Sequence, residues 1–178
     1  MRDRQKPVRE ALPRAGSLIA AFPAVASRGH PGQLVIDIGH ELAAQHQQQW
    51  RAEDASRAYG VPAEMVALCK RLIDDLNARR VMLVEQIDAW VAREVCGQED
   101  ASLHTETFGS VVDRMAIAWV RMNSLRDAAA SHQARLAQRQ LTELAAAYDD
   151  LVRDVALGRR RLPFWRSLKN YQDDRDYA

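Results

Sequence analysis

Between Pro62 and Gly97 the chain holds one pattern without a break. Met65, Cys69, Leu72, Leu76, Arg80, Leu83, Ile87 and Val91 follow one another at three- and four-residue steps. That period places all eight on one face of an α-helix and would scatter them over both faces of a strand. A helix from about Ala63 to Val95 is about 50 Å long. It cannot cover its own seam, so the rest of the chain has to supply neighbours.

Three further stripes do so. Leu34, Val35, Ile38, Leu42, His46, Gln49, Trp50, Glu53 and Arg57 mark a helix from about Gln33 to Tyr59, stopped by Gly60 and Pro62. Val111, Met115, Ala118, Trp119, Met122 and Leu125 mark one from about Thr107 to Asp127. Ala137, Leu141, Leu144, Tyr148, Leu151 and Val155 mark one from about Ser131 to Leu157, with Gly158 as its C′ residue. On the outer face of the long helix, Arg71 with Asp75 and Asp75 with Arg79 are four apart and suited to pairing. Strand alternation and the Asn-Gly or Asp-Gly hairpin signals are missing. The expectation is an all-α fold: an antiparallel bundle of about four long helices over residues 33–178. Pro7, Pro13, Pro23 and Pro31 with three glycines make residues 1–32 an irregular arm, docked in part through Leu18, Ile19 and Phe22. Leu162, Phe164, Trp165 and Leu168 make the tail fold back on the bundle.

At 178 residues, 47% apolar and 28% charged, the chain suits one globular domain. Its 25 basic and 24 acidic residues leave a formal charge of +1, so no global field draws it to nucleic acid or a membrane. No apolar run approaches the roughly 18 residues of a membrane span. "GSLIAAFPAVAS" imitates a signal peptide, but Asp3, Glu10, Pro13 and Pro23 argue against one, and a cytoplasmic protein is expected. Cys69 and Cys96 lie among apolar neighbours and read as buried free thiols.

The stripes are not apolar throughout. Glu53 and Arg57 continue the first; Arg80 interrupts the second, with Asn77 a turn before it; Asp113 and Arg114 sit beside Val111, Val112 and Met115. Burying an unpartnered charge costs several kcal/mol. These groups therefore form interhelical ion pairs, or face water in a cleft that takes a polar ligand, or lie in a different register. "LHTETFGSVVDRM" adds a second cluster. Thr107, or Ser110 with Asp113, can cap the third helix, whereas His104 and Glu106 precede it with no capping duty. A histidine beside a carboxylate can move protons near neutral pH, and a helix start can receive an anion. A metal is not expected: no Glu-x-x-His occurs, and His40, Glu41, His46, His104 and Glu106 fit no standard ligand spacing. Nucleophile elbows and glycine-rich phosphate loops are likewise missing, so no cofactor is expected.

Three segments together resemble the bacterial helical family known as domain of unknown function 4254. Its Trp-x-x-Glu-Asp-x-x-Arg segment, the lysine-rich turn that leads into Ile-Asp-x-x-Asn-x-x-Arg, and its Glu-x-Ile-Asp are matched by Trp50, Glu53, Asp54, Arg57, Lys70, Ile73, Asp74, Asn77, Arg80, Glu85, Ile87 and Asp88. Its His-x-Glu-Thr-Pro-Gly segment with a following Asp-Arg is matched by His104, Glu106, Thr107, Gly109, Asp113 and Arg114, with Phe108 in place of proline. "SLKNYQDD" is similar to its closing segment, with Gln172 where asparagine is usual. The resemblance implies a helical fold and an association with glycan or natural-product biosynthesis, without an activity. "LIDDLNARRVMLVEQI" also resembles, more loosely, the first helix of all-helical chorismate mutases, which would imply a pericyclic enzyme; their charge spacing is not reproduced.

The resulting expectation is an enzyme acting by acid–base chemistry on a small polar or anionic metabolite. His104, Glu106 and Glu53 are the candidate proton carriers. Trp50, Asp54, Arg57, Asn77, Arg80, Asp113 and Arg114 are the candidate substrate contacts. The alternative is a non-catalytic helical partner or helper, dimeric through Trp90, Val91 and Val95.

Overall fold

The computed structural model describes residues 12–24, 29–95, 97–128 and 131–165. Five helices lie within them: α1 (Ala15–Ala21), α2 (Gln33–Ser56), α3 (Ala63–Glu94), α4 (Phe108–Asp127) and α5 (Ser131–Ala156). Cys96, Leu168 and the segment 167–174 fall outside the described residues, as does the arm before residue 12. Helix α2 packs extensively along α3 and also on α4, which packs in turn on α3 and α5. No helix among the described residues is long and apolar enough to cross a membrane.

The four long stripes become helices at nearly the expected limits. Val35, Ile38, Leu42, Ile87, Met115, Leu141 and Tyr148 meet in one core, where each buried side chain contributes roughly 1.5–3 kcal/mol relative to exposure. Gly158 takes φ +68, and the N–H groups of Gly158 and Arg159 close on the carbonyls of Val155 and Asp154. A left-handed residue there terminates α5 without a Cβ clash.

Five departures from the sequence reading have physical reasons. The arm is not irregular throughout: residues 15–21 form α1, and Leu12, Pro13, Leu18 and Phe22 are buried. Contacts far along the chain make this segment a helix. The Tyr148 hydroxyl donates to the Pro13 carbonyl at 2.9 Å, and the Asp149 carboxylate accepts from the Ala15 N–H. Met65 and Leu72 are exposed, although they continue the seam of α3. Val91 and Val95 are buried and Trp90 packs against the core, so the patch expected to hold a second chain has little surface to offer. Arg79 reaches Glu41 of α2 at 3.1 Å rather than Asp75 on its own helix. Finally, a two-residue parallel bridge, β1 (Ser102–Leu103) with β2 (Arg160–Arg161), ties the loop before α4 to the chain after α5. Such a bridge is too short to leave a pattern in sequence.

Candidate functional site

Three helices bring polar side chains to one crossing. On α2 the steps 46, 49, 50 and 53 turn His46, Gln49, Trp50 and Glu53 toward a small cavity of about 200 Å³ that Arg80 of α3 and Arg121 of α4 also line. Behind it stands Asp113, buried in the first half of α4. His46 Nε2 lies 2.8 Å from Asp113 Oδ1, with both side chains only 8% exposed, and Arg80 Nε lies 3.4 Å from Oδ2. An isolated buried carboxylate costs several kcal/mol; this one is answered on both oxygens. With the carboxylate accepting, His46 carries its proton on Nε2, and Nδ1 has no partner among the described residues.

A larger cleft of about 810 Å³ opens between α4 and α5. Arg80, Asp113, Arg114 and Arg121 line one wall together with Glu106, and Gln140 and Glu143 of α5 line the other. Arg80, Arg121 and Ile117 line both spaces, a shared border that we call the neck. Arg114 pairs with Glu106, and Arg80 with Asp113. Arg121 has no ion-pair partner among the described residues. The neck thus presents one committed guanidinium and one uncommitted, which suits an anionic group.

The helix start beside this crossing is built for packing. Thr107 caps α4, its Oγ1 accepting from the Ser110 N–H at 3.2 Å, and Asp88 of α3 accepts from the Gly109 N–H at 2.6 Å. Burial pushes the Asp88 carboxyl above the usual 3.8, and Glu85 adds to this; the bonds from Gly109 and Thr107 act the other way. A Cβ on Gly109 would stand 2.4 Å from the Val84 carbonyl oxygen. Only glycine lets α4 start so close to α3. Phe108 is fully buried, 5.5 Å from the Tyr148 ring.

The structure gathers some of the expected residues and separates others. Trp50, Glu53 and Arg80 share the small cavity; Arg80, Glu106, Asp113 and Arg114 share the cleft. His104 lines neither. Its Nδ1 lies 2.9 Å from the Glu106 carbonyl oxygen, so the ring serves the loop, while its backbone N–H donates to the Arg161 carbonyl and extends the bridge. The Glu106 carboxylate turns to Arg114 instead. Arg57 is exposed and pairs with Glu53 at 2.6 Å. Asp54 is exposed and Asn77 half-buried, and neither lines these spaces. His46 and Arg121 were missed. The signal for His46 was its place in an apolar stripe, one turn after Leu42; Arg121 carried no signal beyond its spacing from Asp113. Among the described residues, no three histidine, cysteine or carboxylate side chains converge closely enough to hold a metal ion.

The class these features define is an all-helical protein with a polar cleft where three of its helices cross. The chain belongs to the family of proteins of unknown function DUF4254, which matches residues 38–164. That span includes every residue of the crossing and leaves out α1. Comparison with curated proteins and with solved structures returns no match.

Proposed function

We propose that this protein is an enzyme that exchanges protons with a small, polar, anionic metabolite held at the neck between the two cavities. The supporting observation is the His46–Asp113 contact, buried yet adjoining a cavity that Arg80 and Arg121 share. In this reading Asp113 fixes the imidazole with Nε2 protonated, so Nδ1 is the proton acceptor, and the carboxylate stabilises the imidazolium that forms. Arg80 and Arg121 hold the anionic group, Trp50 walls the site, and Glu53 is placed for a second transfer on the same cavity. Proton removal at one atom and return at another is the chemistry of isomerisations and eliminations. We further take the four long helices to run antiparallel, as their short connections favour, and the chain to act in the cytoplasm as part of a biosynthetic pathway.

The test is turnover of a metabolite extract from the expressing cell, followed by mass spectrometry with the wild-type chain and with His46→Gln. The proposal expects a chromatographically separated substrate–product pair, equal in mass for an isomerisation or differing by the eliminated molecule, that appears with the wild type and is lost in a variant of unchanged melting temperature. A His46→Gln chain that loses its fold, beside a wild type that converts nothing, would mean that the buried contact is a structural pair.

A further inference from the structure

The first half of α3 carries an apolar stripe that nothing among the described residues covers. Met65, Leu68 and Leu72 are 48%, 52% and 44% exposed, while Cys69 and Leu76 on the adjoining face are buried against the rest of the molecule at 8% each. The three lie within about 60° of one another around the helix, at a 3–4 spacing. An apolar row of this kind on a surface helix marks a contact with another chain. Charge says which chain. Glu64 and Arg71 flank the row on the same side, four positions before Leu68 and three after it. Both are exposed, and neither has an ion-pair partner among the described residues. Arg79, whose spacing from Asp75 suggested a chain of pairs along this helix, is bound to Glu41 instead.

We propose that α3 pairs with α3 of a second copy, antiparallel about a two-fold axis near Leu68. A two-fold interface requires that if residue i meets residue j, then j meets i. The row satisfies this. With the axis near Leu68, Leu68 meets Leu68 of the second copy, Met65 meets Leu72, and Glu64 of each chain stands beside Arg71 of the other. The pattern is thus complementary to itself in apolar side chains and in charge. A single helix pair falls at the small end of specific interfaces, so the dimer forms reversibly with concentration. This inference is independent of the proposed chemistry, because none of its residues lines the neck.

Sedimentation velocity over a concentration series, with helicity checked by circular dichroism, tests it. The wild type is expected to shift from monomer to dimer. Glu64→Arg sets arginine against Arg71 twice per dimer, and Arg71→Glu sets glutamate against Glu64 twice. Each single variant is expected to weaken association about tenfold or more, with unchanged helicity, and Leu68→Glu to abolish it. Mixing the two charge variants makes both contacts attractive again, so a heterodimer should return to wild-type strength. A wild type that stays monomeric at all concentrations overturns the proposal and leaves the row to a different partner protein. So do charge variants that dimerise like the wild type, or a mixture that does not recover.

Discussion

Two aspartates, Asp88 on α3 and Asp113 on α4, are buried almost equally deeply, yet they face different partners. Asp88 spends Oδ1 on the backbone N–H of Gly109, where α4 starts close against α3. Asp113 spends its oxygens on His46 and Arg80, two side chains that reach open cavities. A carboxylate answered by the backbone and the capping threonine that start a helix holds that helix in place. One answered by an imidazole sets the tautomer of a group that can give and take a proton. Burial alone does not separate a structural acid from a chemical one; the identity of the partner does.

The largest expected effect breaks the structural member. Gly109→Ala places a Cβ against the Val84 carbonyl, main chain that cannot swing aside. We expect a loss of about 3 kcal/mol, read by denaturant unfolding, and a loss below about 1 kcal/mol would show that α4 can back away from α3. Next, Asp113→Ala leaves His46 buried without its acceptor, while Arg80, partly exposed, rehydrates; about 2 kcal/mol is expected. Asp113→Asn is the sharper probe. Its amide can donate to Nε2 and so reverse the imidazole tautomer. Turnover should be lost with a far smaller loss of stability than in Asp113→Ala, whereas Asp88→Asn, which still accepts from Gly109, should keep turnover.

Much of this comparison was open to reading before coordinates. Periodicity placed α2 to α5 almost to the residue, because each apolar stripe is long and ends at glycine, proline or a capping threonine. It also flagged Arg80 and Asp113 as charges in the wrong place. It could not tell which polar residues face each other, since that depends on the rotation and offset of helices far apart in sequence, 67 residues for His46 and Asp113. His104 looked more chemical than His46 because it sat among other polar residues. Its loop neighbours occupy it, whereas His46, alone in an apolar stripe, finds Asp113 across the bundle. Helix α1 was hidden for a related reason: its docking rests on Tyr148 and Asp149, more than a hundred residues away.

The pH dependence sharpens the pair further. Burial raises the Asp88 carboxyl in the folded chain, so the native state holds that proton more tightly than the unfolded state. By linkage, its contribution is most favourable below the unfolded value near 3.8. It is lost as pH rises through the higher folded value. Asp88→Asn cannot ionise, so its stability relative to wild type should improve as pH rises across that window. A difference between the two that stays constant with pH would mean that the bonds from Gly109 and Thr107 offset burial completely.

The smallest effect concerns Arg57, which sequence spacing had placed among the substrate contacts. Its guanidinium is solvated and pairs with Glu53 one turn back on α2, an exposed arrangement worth at most about 0.5 kcal/mol. Arg57→Ala should leave the melting temperature nearly unchanged. Its effect on turnover separates two roles of Glu53. If the pair merely steadies a surface side chain, the rate stays at wild-type level. If it holds the Glu53 carboxylate toward the small cavity, the rate falls while the melting temperature stays put. The second outcome would extend the chemical crossing beyond His46, Asp113 and Arg80 to the end of α2.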